Sequence, residues 1–249
     1  MGDMRARLAS VVLYASASFL LGVLVSLPSR AQEDAGPSAA PAAVPACNEQ
    51  QPHDFLVRGN WLTKASMTPE EQRTRRARAQ QAIRYRTEQY GFFEGFGQAE
   101  WNAHPPSFYA RGVTVFGLRV RLNERIIPAL RCAEAAIAAN CTATPYAPHR
   151  LSGLRDRNTY HNGEVSNHVY GIAIDIDPDT NTCCHCVAEW REHPLCQREV
   201  ASIFERMSMP ECWVTQFERF GFYWLGHDVL QDTMHFEFLG DADRILATP

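Results

Sequence analysis

Ser166-Asn167-His168-Val169-Tyr170-Gly171-Ile172-Ala173-Ile174-Asp175 is the stretch from which the fold reads outward. Its apolar run predicts a strand over 169–176. Alternation sends Ile172 and Ile174 to one face, toward a core. Gly171, Ala173 and Asp175 take the other face, where small side chains leave room above the strand. Asp175 then looks into a cleft, and His168 enters the same space just before the strand. A second stretch, Asp232-Thr233-Met234-His235-Phe236-Glu237-Phe238, repeats the pattern. Phe236 and Phe238 share a core face; His235 and Glu237 share the opposite one.

Two histidines and an aspartate meet the ligand count of a catalytic zinc site, which takes three protein ligands and keeps one position open. Hydrolysis then needs a carboxylate that does not hold the metal, to act as general base. Asp232, three residues before His235, fits that role. No Gly-x-Ser-x-Gly elbow offers a serine nucleophile instead.

Outward from these stretches, Thr68-Pro69-Glu70-Glu71 predicts a helix start with a capping box. The helix is expected over 68–90, with Gly91 as its stop. Its many arginines read as a solvated face. A second helix is expected over 116–139 from Leu118, Leu122, Ile126, Leu130 and Ile137, kinked or broken at Pro128. An extended segment covers 146–155, short helices 199–207 and 213–220, and strands 222–225 and 234–239. Helices first, then short strands separated by loops, predict an α+β fold: a small, mainly antiparallel sheet flanked by helices.

The chain has 249 residues, 45% hydrophobic and 21% charged, as a globular protein does. Its net charge of -4 gives no electrostatic case for nucleic acid as a partner. Arg5 and Arg7 precede an apolar run over 8–27, and Ser29 and Ala31 suit cleavage, so 1–31 reads as a signal peptide. An uncleaved membrane anchor is the alternative, since the run matches the roughly 20 residues that span a bilayer. An Ala/Pro-rich linker follows over 32–46. All eight cysteines lie beyond it, and an exported chain favours disulfides. Cys132 with Cys141 is expected as a local clasp, and the group from Cys183 to Cys212 as the staple of one insertion.

Ser-x-His-x-x-Gly-x-Ala-x-Asp followed by Asp-x-x-His-Phe-Glu resembles the zinc D-alanyl-D-alanine carboxypeptidase and L-alanyl-D-glutamate endopeptidase family, which shares its fold with lysostaphin-type peptidases and the hedgehog signalling domain. The segment from Phe220 to Asp228 is similar to that family's aromatic-Trp-Gly-Gly-Asp segment. The resemblance implies one catalytic zinc ion held by His168, Asp175 and His235, with Asp232 as base. Asp rather than Glu at that position is closer to the endopeptidase branch. Arg155, in Ser152-Gly153-Leu154-Arg155, is implied to bind substrate and polarise the scissile carbonyl; Leu154 replaces the usual Tyr, and Arg157 is a rival for the role. Glu237 is expected to orient a ligand. The implied substrate is a peptide bond in peptidoglycan. Residues 117–249 would form the peptidase domain, 47–116 a helical extension, and the mature chain would not enter the membrane. A domain of this fold that holds metal and binds cell wall without cleaving it is the alternative function. Cys183, Cys184, His185 and Cys186 also suit a structural zinc, although disulfides are preferred. Asp175-Ile176-Asp177-Pro178-Asp179-Thr180-Asn181 has the alternation of a calcium loop but lacks its Gly and Glu.

Overall fold

The computed structural model describes residues 46–160 and 164–247. The expected signal peptide, and the linker up to residue 45, lie outside the described residues. The fold is α+β. Its elements in chain order are α1 (Pro69–Tyr90), β1 (Ala110–Val115), β2 (Leu118–Asn123), α2 (Ile127–Asn140), β3 (Leu151–Ser152), β4 (Ala173–Ile176), α3 (Ala188–Arg191), α4 (Pro194–Gln197), α5 (Glu211–Glu218), β5 (Phe222–Trp224) and β6 (His235–Phe238), with short 3-10 turns between.

Helix α1 begins as its sequence dictates. The Thr68 hydroxyl accepts from the Glu71 N–H, and the Glu71 carboxylate accepts from the Thr68 N–H. Its arginines are less solvated than expected. Arg75 donates to the carbonyls of Gly59 and Leu62, and buried Arg86 lies over the Trp61 ring. They fasten residues 54–62 to the helix.

The helix expected over 116–139 is two structures. Phe116 and Gly117, with φ of 50° and 80°, make the two-residue turn of a β1–β2 hairpin. Leu118, Val120 and Leu122 alternate at period two, and Leu118/Leu122 fits a helix only because four residues suit both periods. Pro128 lies in the first turn of α2, where its missing N–H costs nothing.

A four-stranded antiparallel sheet has the order β3-β4-β6-β5. Its core face carries Ile174, Ile176, Phe222, Trp224, Phe236 and Phe238, all buried. Helix α5 closes that face through Phe217, which stacks on Phe236 with centroids 4.3 Å apart. Phe217→Ala would cost about 3–5 kcal/mol. The opposite face carries Asp175, His235 and Glu237.

All eight cysteines are paired: Cys47–Cys132, Cys141–Cys212, Cys183–Cys186 and Cys184–Cys196. The expected Cys132–Cys141 clasp does not form. Nine residues of helix set the two about 13 Å apart, twice the reach of a disulfide. Cys212 leaves the expected insertion group to tie α5 to the end of α2. No helix among the described residues is long and apolar enough to cross a membrane.

Candidate metal centre

Sheet register builds the site. Ser152, Asp175 and His235 lie in one row across β3, β4 and β6. His168 reaches this row from a 3-10 turn, Asn167–Tyr170, which also takes up the first residues of the strand expected over 169–176. Gly171 ends that turn at φ 69°, and a Cβ there would sit 2.8 Å from the Asn123 nitrogen. Both features require glycine. The strand begins only at Ala173.

Three atoms converge. His168 Nε2 lies 3.1 Å from Asp175 Oδ1 and 3.2 Å from His235 Nδ1, and these last two are 2.8 Å apart. The outer ring nitrogens are spoken for. His168 Nδ1 donates to the Gly153 carbonyl at 2.6 Å, and His235 Nε2 donates to Glu237 Oε1 at 3.1 Å. Those bonds assign the tautomers and turn both remaining lone pairs inward. A carboxylate oxygen and two imidazole lone pairs crowded together repel one another unless a cation lies between them. Two ligands bound at zinc–nitrogen distance to a tetrahedral centre are about 3.3 Å apart, close to these edges. The donor set therefore fits zinc.

The three groups also set one another's ionisation. Burial alone would raise Asp175, but His168 and His235 reverse this and hold its carboxyl far below the usual range. Burial pulls His168 down. Burial also opposes a charge on His235, yet Asp175 and Glu237 outweigh it and hold that imidazole well above its ordinary value.

Arg155 stands beside the centre. Its Nη2 donates to Asp175 Oδ2 at 2.5 Å, while its backbone N–H donates to the His168 carbonyl. Arg157 is exposed and does not line the cleft. Gly153 is held against β2, where a Cβ would strike the Arg121 carbonyl. The Ser152-Gly153-Leu154-Arg155 segment thus fixes His168 and Asp175 together.

Asp232 is 8% exposed and lines the same cleft, of about 660 Å³, as His168, Asp175, His235 and Arg155. Its Oδ1 is buried without a partner. Burial, with the charges of Asp175 and Glu237, pushes its carboxyl up to about 7 against the pull of His235 and Arg155. Glu237 lies outside the cleft lining, behind His235.

The oxygens of the would-be calcium loop are spent elsewhere. Asp177 accepts from the His149 and Arg150 N–H groups and from the Tyr146 hydroxyl, and Asn181 Oδ1 accepts from the N–H groups of Ser208 and Met209. Several cleft residues escaped sequence reasoning, among them Arg58, Thr159, Tyr160 and Trp190. Arg58 bridges Glu164 and Asp228. Nothing in its local sequence signals this, because its partners lie more than 100 positions away.

Residues 160–238 match the family model described as D-alanyl-D-alanine carboxypeptidase. The match spans His168, Asp175, Asp232, His235 and Glu237 and leaves Arg155 outside. Neither a curated protein nor a solved structure matches the chain.

Proposed function

We propose that this chain, whose residues 160–238 belong to the D-alanyl-D-alanine carboxypeptidase family of peptidases, is an exported zinc peptidase that hydrolyses a peptide bond in peptidoglycan stem peptides. The observation that carries the reading is the convergence of His168 Nε2, Asp175 Oδ1 and His235 Nδ1 in the wall of a cleft. Four disulfides and the signal-like N-terminus support export.

His168, Asp175 and His235 would hold the ion. Bound there, zinc would supply Lewis-acid polarisation and acidify water near neutral pH. The chain's own groups do the rest. Gly153 and Glu237 lock the two imidazoles in the tautomers that face the ion. Asp232 takes a proton from the attacking water and returns it to the leaving amine nitrogen. Arg155 spends one donor on Asp175. Arg155 lines the cleft, and its other N–H groups are left to stabilise negative charge growing on the scissile carbonyl oxygen. Residues 117–249 carry this apparatus, and 47–116 brace it through Arg58.

Metal analysis of the purified chain, together with digestion of purified peptidoglycan, tests the reading. One zinc per chain and chelator-sensitive release of new amino termini are expected, and mass spectrometry names the bond. Zinc without cleavage would assign the chain to wall binding instead. Absence of zinc after reconstitution would overturn the proposal.

A further inference from the structure

The disulfides are not alike. Three join cysteines 12, 71 and 85 positions apart, whereas Cys183 and Cys186 are three apart. Cross-links stabilise a fold more as the closed loop lengthens, so this pair contributes least to folding. It stands instead in the cleft wall, where both cysteines face the cavity.

The pair is laid along the segment that carries Asp232. Cys183 and Asp232 form an antiparallel bridge, the His185 N–H donates to the Leu230 carbonyl, and the Thr233 N–H donates to the Thr182 carbonyl. Cys186 Sγ lies 3.7 Å from Asp232 Oδ2. The other oxygen, Oδ1, is buried with no hydrogen-bond partner. Both sulfurs and an Asp232 oxygen fall within 4.8 Å of one another, as a group separate from the histidine centre.

We propose that Cys183, Cys186 and Asp232 form a second, redox-gated metal site for a thiophilic divalent cation such as zinc. With the disulfide intact, no thiolate is present and Asp232 stays free. A dithiol reductant donates two electrons and two protons: the Cys183–Cys186 bond breaks, two thiols form, and the reductant closes to its own disulfide. The cation then displaces both thiol protons to solvent and is held by two thiolates and the carboxylate, a set that suits zinc and leaves one position open. Asp232 as a ligand no longer accepts protons, so reduction in the presence of zinc switches the enzyme off. This consequence rests on the reading of Asp232 as the base; the site itself does not.

Cobalt(II) titration of the full chain, oxidised and after dithiothreitol, tests the site by its sulfur-to-cobalt charge-transfer absorption. The oxidised chain is expected to bind one cobalt without that absorption, and the reduced chain a second cobalt with it. Cys183→Ser/Cys186→Ser should abolish both second-site signals, Cys184→Ser/Cys196→Ser should keep them, and Asp232→Asn should weaken the second cobalt at least tenfold. In the reduced wild type, zinc should also shield Cys183 and Cys186 from alkylation, a readout that needs no variant to fold. Absence of the absorption on reduction, its loss with Cys184 and Cys196 instead, or unshielded thiols would overturn the site. An oxidised chain that binds cobalt but cleaves nothing would sink the peptidase reading and leave these signals standing.

Discussion

Asp175 and His235 face each other as directly paired residues on β4 and β6, with Asp175 Oδ1 2.8 Å from His235 Nδ1. Antiparallel pairing brings opposed Cβ atoms to about 5 Å, so sheet register alone sets two of the three inward-facing atoms. Only His168 depends on a loop, and that loop is pinned by Gly171 and by the Gly153 carbonyl.

Loss of either histidine should therefore release the metal. His168→Ala and His235→Ala are each expected to raise the zinc Kd more than about 100-fold, since losing an outer partner alone costs about 10–100-fold. Competition with a chelator of known affinity gives the number. A variant that still held one zinc as tightly as the parent would break the ligand assignment.

Glu237 acts at one remove, through His235 Nε2. Glu237→Gln keeps an acceptor oxygen but loses the charge; Glu237→Ala loses both. The expected rise in Kd is about 10-fold for the first and nearer 100-fold for the second. Unchanged affinity in both would mean that the carboxylate is not what orients the ring.

The two motifs were legible because strands of period two put Asp175, His235 and Glu237 on one face against Ile174, Phe236 and Phe238 on the other. Helix α1 was legible through Thr68, Glu71 and Gly91. The hairpin over 110–123 was not, because Leu118 and Leu122 satisfy helical and extended spacing alike, and the turn at Phe116-Gly117 puts a bulky residue at positive φ. The disulfide pairs Cys47–Cys132 and Cys141–Cys212 join segments that only the folded chain brings together. Arg58 is invisible for the same reason. The turn that runs past His168 into the strand expected over 169–176 is hidden in the sequence, since Val169, Tyr170 and Ile172 are apolar in either state and Gly171 reads as a mere space-maker until its φ is known.

That turn can be tested by Gly171→Ala. Positive φ costs a residue with a Cβ about 1–2 kcal/mol, and here the new methyl also meets the Asn123 nitrogen. Gly95, at φ 84° with open space around its would-be Cβ, provides the control. Gly95→Ala should show the conformational cost alone. Gly171→Ala should lose more stability in urea melts and weaken zinc binding by displacing His168. Equal destabilisation of the two, with zinc affinity intact, would show that the Asn123 contact sets nothing.

The Asp232 side chain makes no hydrogen bond to the three converging atoms and lines the cleft beside them. Asp232→Ala is expected to retain one zinc per chain and to lose turnover by about 10²–10⁴-fold, the usual range for removing a general base. Zinc stoichiometry and turnover measured on the same preparation separate the two roles. Turnover near the parent value would exclude Asp232 as the base, and loss of zinc would make it a ligand.

Cys47–Cys132 closes a loop with a sequence separation of 85. Chain entropy assigns such a link about 4–5 kcal/mol, against about 2 kcal/mol for the short Cys183–Cys186 loop. Cys47→Ser/Cys132→Ser also frees residues 46–50 from α2, although the Asn48 N–H to Ile245 carbonyl and Gln50 N–H to Arg219 carbonyl bonds remain to hold them. Urea denaturation under non-reducing conditions should show the long-loop variant losing at least twice the stability of Cys183→Ser/Cys186→Ser. The short-loop variant should unfold at a midpoint below the parent's by no more than its roughly 2 kcal/mol implies, because Cys183 keeps its backbone bridge to Asp232 without the sulfur bond. The reverse ranking would mean that the Cys183–Cys186 link stabilises the folded cleft itself rather than only constraining the unfolded chain.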